Sequence, residues 1–157
     1  MMNRPDNLSL NGWIEAHTHI YPLKVQYEDT DVGGVVYHAN YLNYAERARS
    51  AGFTLMDINQ QERLADGKAF VVAGLDIQYH KPARLGDVIK VVTTTQHMTG
   101  VRIILNQHIM TDTDILLATL RVTVVYASLK GQPIRLDAYT KNKILATMPP
   151  QNHGITH

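Results

Sequence analysis

Residues 27–41 read YEDTDVGGVVYHANY, and this stretch carries most of the chemical information in the chain. Two adjacent glycines, Gly33 and Gly34, mark a turn in its middle. After the turn, tyrosines and alanines recur at alternating spacings of four and three, the repeat of one helix face; they are Tyr37, Tyr41, Tyr44, Ala48 and Ala51. The stretch therefore predicts a glycine turn that is followed directly by a helix.

The far side and the end of this helix also have sequence signals. Glu46, Arg47 and Arg49 fall outside the tyrosine–alanine face, so we expect them in solvent. Gly52 stands where a glycine commonly ends a helix. Thr54 is then expected to cap a second short helix over about residues 55–64.

Strand patterns lie on both sides of the helix. Residues 20–27 alternate apolar and polar side chains, and Pro22 places them near a strand start or a sheet edge. Four later segments also alternate with a period of two: 69–79, 88–95, 101–111 and 115–127. In the first of these, one face is expected to hold Val71, Ala73, Leu75, Ile77 and Tyr79. Short turns join the last three segments, which predicts an antiparallel meander.

One strand, one long helix and four strands predict the α+β class with an antiparallel sheet. A single helix covers only one face of such a sheet. The open face or edge favours a homo-oligomer.

Length and composition narrow the function classes. At 157 residues we expect one domain, spanning 18–139, between a polar N-terminal arm (1–17) and a C-terminal tail (140–157). The absence of cysteine excludes a thiolate nucleophile and thiolate metal ligands. A net charge of +1 argues against nucleic-acid binding. No apolar run approaches the ~18 residues of a membrane span, and no secretory signal is evident, so we expect a cytoplasmic protein.

The segment before the helix has the residue types of an acyl-transfer site. A helix start presents unpaired N–H groups that stabilise an oxyanion, and Asp31 stands seven residues before His38. A carboxylate there can attack a carbonyl or activate water. The structural alternative is that Asp29, Thr30 and Asp31 only build a turn and a helix cap.

A metal site is disfavoured. Glu28, Asp29, Asp31 and His38 stand so close together that an extended chain would send alternate side chains to opposite faces. The other histidine pair, His17 and His19, is expected to be solvated.

Residues 27–41, with Glu46-Arg47-Ala48-Arg49 after them, resemble acyl-CoA thioesterases of the 4-hydroxybenzoyl-CoA thioesterase type. The match is best with the YbgC-like subgroup associated with the bacterial Tol-Pal system. Residues 79–87 (YHKPARLGD) and Gln107 agree, and the resemblance covers about residues 20–137. It implies a hotdog fold, a long antiparallel β-sheet wrapped around one central α-helix. It also implies dimers with joined sheets, often paired into tetramers, and active sites at the dimer interface.

The resemblance assigns roles residue by residue. Asp31 matches the catalytic aspartate, His38 the histidine of the subgroup, and Tyr27 a supporting tyrosine; a backbone N–H near His38 matches the donor to the thioester carbonyl. Gly33 and Gly34 fit a close approach of the substrate. Further substrate contacts, which the resemblance does not itself assign, are expected from Val35, Tyr37, Lys81, Arg84 and Arg102. The implied substrate is an acyl-CoA or an acyl-carrier-protein thioester, hydrolysed without metal or further cofactor. Whether Asp31 attacks or activates water stays open.

Two other functions fit the same fold. One is a non-catalytic module that binds acyl-CoA or acyl carrier protein, against which the presence of Asp31 and His38 argues. The other is a hotdog dehydratase or hydratase, which usually carries a His-Phe-Pro loop that this sequence lacks.

Overall fold

The computed structural model describes residues 10–151. Its strands are β1 (Trp13–Glu15), β2 (Thr18–Lys24), β3 (Lys68–Tyr79), β4 (Val88–Met98), β5 (Arg102–Thr111) and β6 (Leu116–Ser128). Its helices are α1 (Asn40–Leu55), α2 (Gln60–Ala65) and α3 (Ala138–Thr147), and a 3₁₀ turn at Tyr27–Asp29 precedes α1. No helix within residues 10–151 is long and apolar enough to cross a membrane.

The six strands form one antiparallel sheet in the order β1-β2-β4-β5-β6-β3. The limits of β4, β5 and β6 lie within three residues of the predicted ones, so the meander and the α+β class are confirmed. β2 starts two residues before its predicted limit and ends three before it. β1 pairs with Thr18–Ile20. Among residues 10–151, β4 is therefore the single neighbour of β2 at Pro22, where the missing N–H is tolerated.

Helix α1 packs across one face of this sheet. Four residues of the predicted helix face are buried: Tyr41, Tyr44, Ala48 and Ala51. The fifth, Tyr37, precedes the helix and is 46% exposed. Small alanines let the helix backbone approach the alternating apolar residues of β4, β5 and β6, which form the opposite wall of the core.

The predicted end of α1 was wrong. Gly52 lies inside the helix, where the ring of His19 packs against it: a Cβ atom at position 52 would lie 3.4 Å from Nδ1 of His19. Thr54 is also helical, and its hydroxyl donates to the Ser50 carbonyl. The cap of α2 is instead Asn59, whose side chain accepts the N–H of Glu62.

The predicted face of β3 was wrong for the residues before a β-bulge. The register shifts between Val72 and Gly74, so the residues before and after Ala73 alternate in opposite phase. Phe70 therefore packs on the core before the bulge, in a stack with Phe53. Val71 lies on an exposed face, and only the residues after the bulge follow the predicted pattern.

Both terminal segments contain elements that the sequence did not predict. Residues 1–9 of the predicted arm and 152–157 of the predicted tail lie outside the described residues. Within the arm, β1 pairs with β2. Within the tail, α3 packs on the core through Thr140, Ile144 and Met148. The domain limits themselves remain a prediction.

Candidate active site

The loop that carries Asp31 is a tight hairpin. Thr30 pairs with Val36, the Asp31 N–H donates to Val35 O at 3.0 Å, and the Gly34 N–H donates back to Asp31 O at 3.2 Å. Gly33 and Gly34 have φ values of 107° and 76°, which residues other than glycine rarely adopt. The two glycines therefore close the turn and hold the Asp31 side chain at its rim.

The hairpin is attached to the connection between β3 and β4. The Val36 N–H donates to Ala83 O, and the Leu85 N–H donates to Gly34 O, both at 2.9 Å. Val35 pairs with Arg84, whose N–H is held by the Asp87 carboxylate at 2.9 Å. These bonds fix the loop to the sheet.

Asp29 and Asp31 stand two residues apart and have different environments. The Asp29 side chain is buried and accepts the Gln26 N–H at 2.8 Å. The backbone carbonyl of Asp29 accepts hydrogen bonds from the Tyr37 N–H and from the side-chain amide of Asn40. Asp31 is exposed, and within residues 10–151 no hydrogen bond or ion pair engages its carboxylate. The structural role weighed for the acidic residues thus belongs to Asp29, while Asp31 keeps a carboxylate that is free to react.

The start of α1 offers backbone donors. The Asn40 N–H is taken by Tyr37 O and the Leu42 N–H by Ala39 O. Within the described part of the chain, no acceptor takes the N–H of His38 or of Ala39. These donors lie at the positive end of the helix dipole, the arrangement that stabilises developing negative charge on an oxygen.

Aromatic rings surround the His38 side chain. The Tyr37 ring centroid lies 4.5 Å from that of His38, and the Tyr79 ring meets it edge-on at 6.5 Å. The Tyr79 hydroxyl donates to His38 O at 2.9 Å. A cleft beside His38 is lined by Tyr41, Tyr79 and Lys81, among others.

Burial raises the pKa of two tyrosines near the helix start. For Tyr41, whose hydroxyl accepts the Ala83 N–H at 2.9 Å, burial is the main cause. For Tyr44, burial and then the neighbouring Asp29 carboxylate raise the pKa well above its ordinary value. Both phenols stay protonated at neutral pH, so neither supplies a base to the site.

The predicted site residues fall into two clefts of one chain. Tyr27, Gly33 and Gly34 line the first together with Asp31, and the Tyr27 side chain is 82% exposed. Lys81 and His38 line the second. Val35, Tyr37 and Arg84 lie on the loop segments that separate or flank the clefts.

Arg102 is not brought to either cleft. It follows the turn between β4 and β5, whereas the Asp31 hairpin lies at the other end of β4, beside Asp87. Eleven residues of β4 span roughly 35 Å between these two ends.

A buried polar cluster was missed by the sequence reasoning. Arg49, expected in solvent, is buried, and its Nη1 donates to Oε1 of Gln107 at 2.9 Å. The Gln107 amide donates in turn to Ala45 O at 2.9 Å and to Thr93 Oγ1 at 3.1 Å. Gln107 thereby ties α1 to β4 and β5. His19, also expected in solvent, is only 1% exposed.

Comparisons with known proteins place this geometry in a family. The model of the Thioesterase superfamily matches residues 33–118, which include the glycine turn and α1. The chain belongs to the Thioesterase superfamily. Over 105 residues it is 40% identical to the acyl-CoA thioester hydrolase YbgC of Escherichia coli O157:H7, covering 67% of this chain and 78% of that protein. It is 42% identical over 107 residues to the acyl-CoA thioesterase YbgC of Haemophilus influenzae, covering 67% and 79%.

Solved structures agree with this membership. A probable thioesterase from Bartonella henselae superposes with a TM-score of 0.72 at 30% identity, covering 76% of this chain and 99% of that one. The chain is thus a hotdog-fold member of the Thioesterase superfamily, as the resemblance implied. Among residues 10–151 no three His, Asp or Glu side chains are grouped as metal ligands.

Proposed function

We propose that this superfamily member hydrolyses acyl-CoA thioesters to a free acid and coenzyme A, with Asp31 as the catalytic carboxylate. The observation that carries the proposal is the unengaged Asp31 carboxylate at the rim of the glycine turn, in the segment that leads seven residues later to His38 and to a helix start with free N–H groups. The relatives named acyl-CoA thioesterases support the substrate class.

The backbone N–H groups of His38 and Ala39 serve as donors to the thioester oxygen. As the carbonyl carbon becomes tetrahedral, negative charge grows on that oxygen, and donors already aimed at it need no reorganisation. Gly33 and Gly34 let the thioester approach the backbone, because neither glycine carries a Cβ atom and nothing else lies within 4 Å of the place where one would be.

Asp31 then acts by one of two routes with the same products. In the first, its carboxylate attacks the carbonyl carbon, the C–S bond breaks, and water cleaves the resulting anhydride. In the second, Asp31 removes a proton from a water molecule that attacks directly. Either route consumes one water and releases R–COOH and HS–CoA. We assign to His38 the positioning or protonation of groups at the thioester, and to Tyr27 support of the Asp31 cleft.

Substrate contacts follow the predicted residues. Gly33, Gly34, Val35 and Tyr37 border the thioester, and Lys81 and Arg84 are candidates for the anionic nucleotide end of coenzyme A. No metal and no cofactor beyond the coenzyme A of the substrate take part. Acyl-carrier-protein thioesters are the second substrate class to test, and the cytoplasm is the proposed location.

A homodimer joins the two clefts in this proposal. Among the strands of residues 10–151, β3 lies at the sheet edge with β6 as its one neighbour, and Val71 and Val72 on it are exposed. Pairing of the β3 edges of two copies would satisfy the unpaired backbone N–H and C=O groups of this edge strand. In the proposed dimer, the Asp31 cleft of one copy lies against the surface of the other, and we assign the predicted substrate contact of Arg102 to this second copy. A dimer of such dimers is the proposed larger assembly.

An assay of free-thiol release tests the function. Wild type and Asp31→Asn are compared on a panel of short aliphatic, long aliphatic and aromatic acyl-CoAs. We expect the variant to lose about 10²- to 10⁴-fold in kcat on every substrate that the wild type hydrolyses. Equal rates in the two proteins would contradict the assignment. Glu28→Gln, an exposed neighbouring acid, is the control and should leave kcat unchanged.

A single turnover in ¹⁸O-labelled water separates the two routes. If Asp31 attacks the thioester and water then opens the anhydride at the aspartyl carbon, the label enters the Asp31 side chain, so label in Asp31 establishes attack by this carboxylate. If Asp31 activates water, all of the label enters the product acid. Mass spectrometry of the peptide that contains Asp31 reads the result.

A further inference from the structure

The hydroxyl of Tyr79 contacts the backbone of the candidate oxyanion site. It donates to His38 O at 2.9 Å, although Tyr79 and His38 are 41 positions apart in the sequence. His38 lies just before Asn40, where α1 begins. Tyr79 stands in the segment YHKPARLGD but had no role in the predicted site. Its ring also lines the cleft beside His38.

The position of this hydroxyl is fixed from several sides. Tyr79 is the last residue of β3, opposite Ala118, and the two N–H groups that follow it both donate to Leu117 O, at 2.7 and 3.2 Å. Its ring meets the Tyr41 ring edge-on at 5.4 Å and the His38 ring at 6.5 Å. A tyrosine anchored in this way has little freedom to turn its hydroxyl elsewhere.

The bonded carbonyl is one end of a peptide unit whose other end is a free donor. In the trans peptide between His38 and Ala39, the His38 C=O and the Ala39 N–H lie in one rigid plane and point in opposite directions. Within residues 10–151 that N–H has no acceptor. A hydrogen bond to the C=O draws electron density from the N–H and makes it a stronger donor, and it also fixes the plane in one orientation.

We propose that Tyr79 is a positioning residue for thioester hydrolysis: its hydroxyl orients and polarises the peptide between His38 and Ala39, so that the N–H of this peptide is presented to the thioester oxygen. The inference rests on the proposed function, because it adds a residue to the same site. Tyr79 acts through the peptide and does not itself contact the reacting atoms.

The competing explanation is that Tyr79 only ties the start of α1 to the sheet. The two explanations differ in what the hydroxyl changes. A polarised donor matters most when negative charge has developed, so its loss lowers kcat and leaves KM unchanged. A purely structural tie changes the melting temperature and leaves kcat per folded molecule unchanged.

The decisive variant is Tyr79→Phe, which removes one oxygen atom and keeps the ring. Loss of a direct oxyanion donor costs about 10²- to 10³-fold, and an indirect effect should be smaller, so we expect kcat to fall roughly 3- to 30-fold. KM for the acyl-CoA should stay within about twofold.

The chain offers a matched control in Tyr139→Phe. The Tyr139 hydroxyl is also bonded to a residue distant in sequence, with the Asp57 backbone O at 2.9 Å and the Asp57 carboxylate at 2.7 Å, and each tyrosine is 47% exposed. Tyr139 lies on α3, away from the candidate site. Its variant should keep the kcat and KM of the wild type.

Site-specific 3-fluorotyrosine at position 79 tests the polarisation directly and stays informative if Tyr79→Phe folds poorly. The fluorine makes the hydroxyl a stronger donor, so kcat should equal or exceed that of the wild type at a pH where the phenol is protonated. A kcat below that of the wild type would overturn the proposal.

A Tyr79→Phe enzyme whose kcat stays within twofold of the wild type would also overturn it. In that outcome, an active wild type and an inactive Asp31→Asn variant would leave the thioesterase function standing. A wild type without thiol release would instead refute the proposed function itself.

Discussion

The start and the middle of α1 use polar side chains in opposite ways. At the start, Asp31 and His38 are exposed and the N–H groups of His38 and Ala39 have no acceptor within the described residues. In the middle, Arg49 is buried and bonded to Gln107, which has used both ends of its own amide. The polar groups at the start of α1 are therefore free to bind a ligand. Those in the middle of α1 form hydrogen bonds that hold the helix to the sheet.

The difference teaches how to separate function from structure in one motif. Asp29 and Asp31 are the same residue type two positions apart, yet only the carboxylate of Asp29 is satisfied by the fold. A polar group that the fold leaves unsatisfied at a cleft is available for chemistry. One that is buried and fully bonded stabilises the structure.

The largest effect on stability is expected from Gln107→Leu. Leucine removes three hydrogen bonds and leaves the Arg49 guanidinium buried without an acceptor, so the free energy of unfolding should fall by about 3 kcal/mol. Urea unfolding monitored by circular dichroism measures it.

Asn106→Leu is the control, because Asn106 is the preceding residue on β5 and points to the other, partly exposed face. Its cost should stay within about 0.5 kcal/mol. Similar losses in the two variants would show that the Gln107 cluster contributes nothing special.

The elements predicted most accurately from the sequence are those that local residue patterns determine. The strands β4, β5 and β6 show clean alternation between short turns, and the start of α1 follows a glycine pair, so both were found without the structure. The site could be predicted only with the family resemblance, because an aspartate before a helix is equally typical of a turn or a cap.

The missed features depend on partners that are distant in sequence. Arg49 follows Glu46 and Arg47 and looks solvated until Gln107, 58 positions later, is placed against it. Gly52 lies within α1, at the place where the His19 ring packs against the helix, a contact that the local sequence does not reveal. α3 had a local signal that was overlooked: Asp137 caps it by accepting the Thr140 N–H, and Ile144 and Met148 share a face.

Asp29→Ala sharpens the contrast between the two acids. The variant loses the buried carboxylate that accepts the Gln26 N–H, so we expect a loss of about 1–2 kcal/mol in stability and little change in kcat per folded molecule. Asp31→Ala should do the reverse and abolish thiol release at an unchanged melting temperature. Calorimetry and the thiol assay on both variants measure the pair. A stable, inactive Asp29→Ala enzyme would exchange the roles of the two acids.

The smallest effect concerns His19 and appears as a dependence of stability on pH. Burial lowers the pKa of this imidazole below 6.5, and the bond from its ring to Asn11 O opposes that shift only in part. In the unfolded chain the His19 imidazole therefore binds a proton near pH 6.5, whereas in the folded chain it binds this proton only at a lower pH. Stability should be constant above this pH and fall below it, by at most about 1.4 kcal/mol per pH unit.

His19→Gln isolates this contribution. The substitution removes the titrating group, so between about pH 7.5 and about pH 5 the free energy of unfolding should fall less steeply than in the wild type, even if the variant starts lower. His97→Gln, an exposed histidine on β4, should keep the steep wild-type slope. If all three proteins lose stability in parallel, other groups cause the acid sensitivity. A flatter slope in His19→Gln alone would show that the burial of this imidazole lowers the stability of the fold at acid pH.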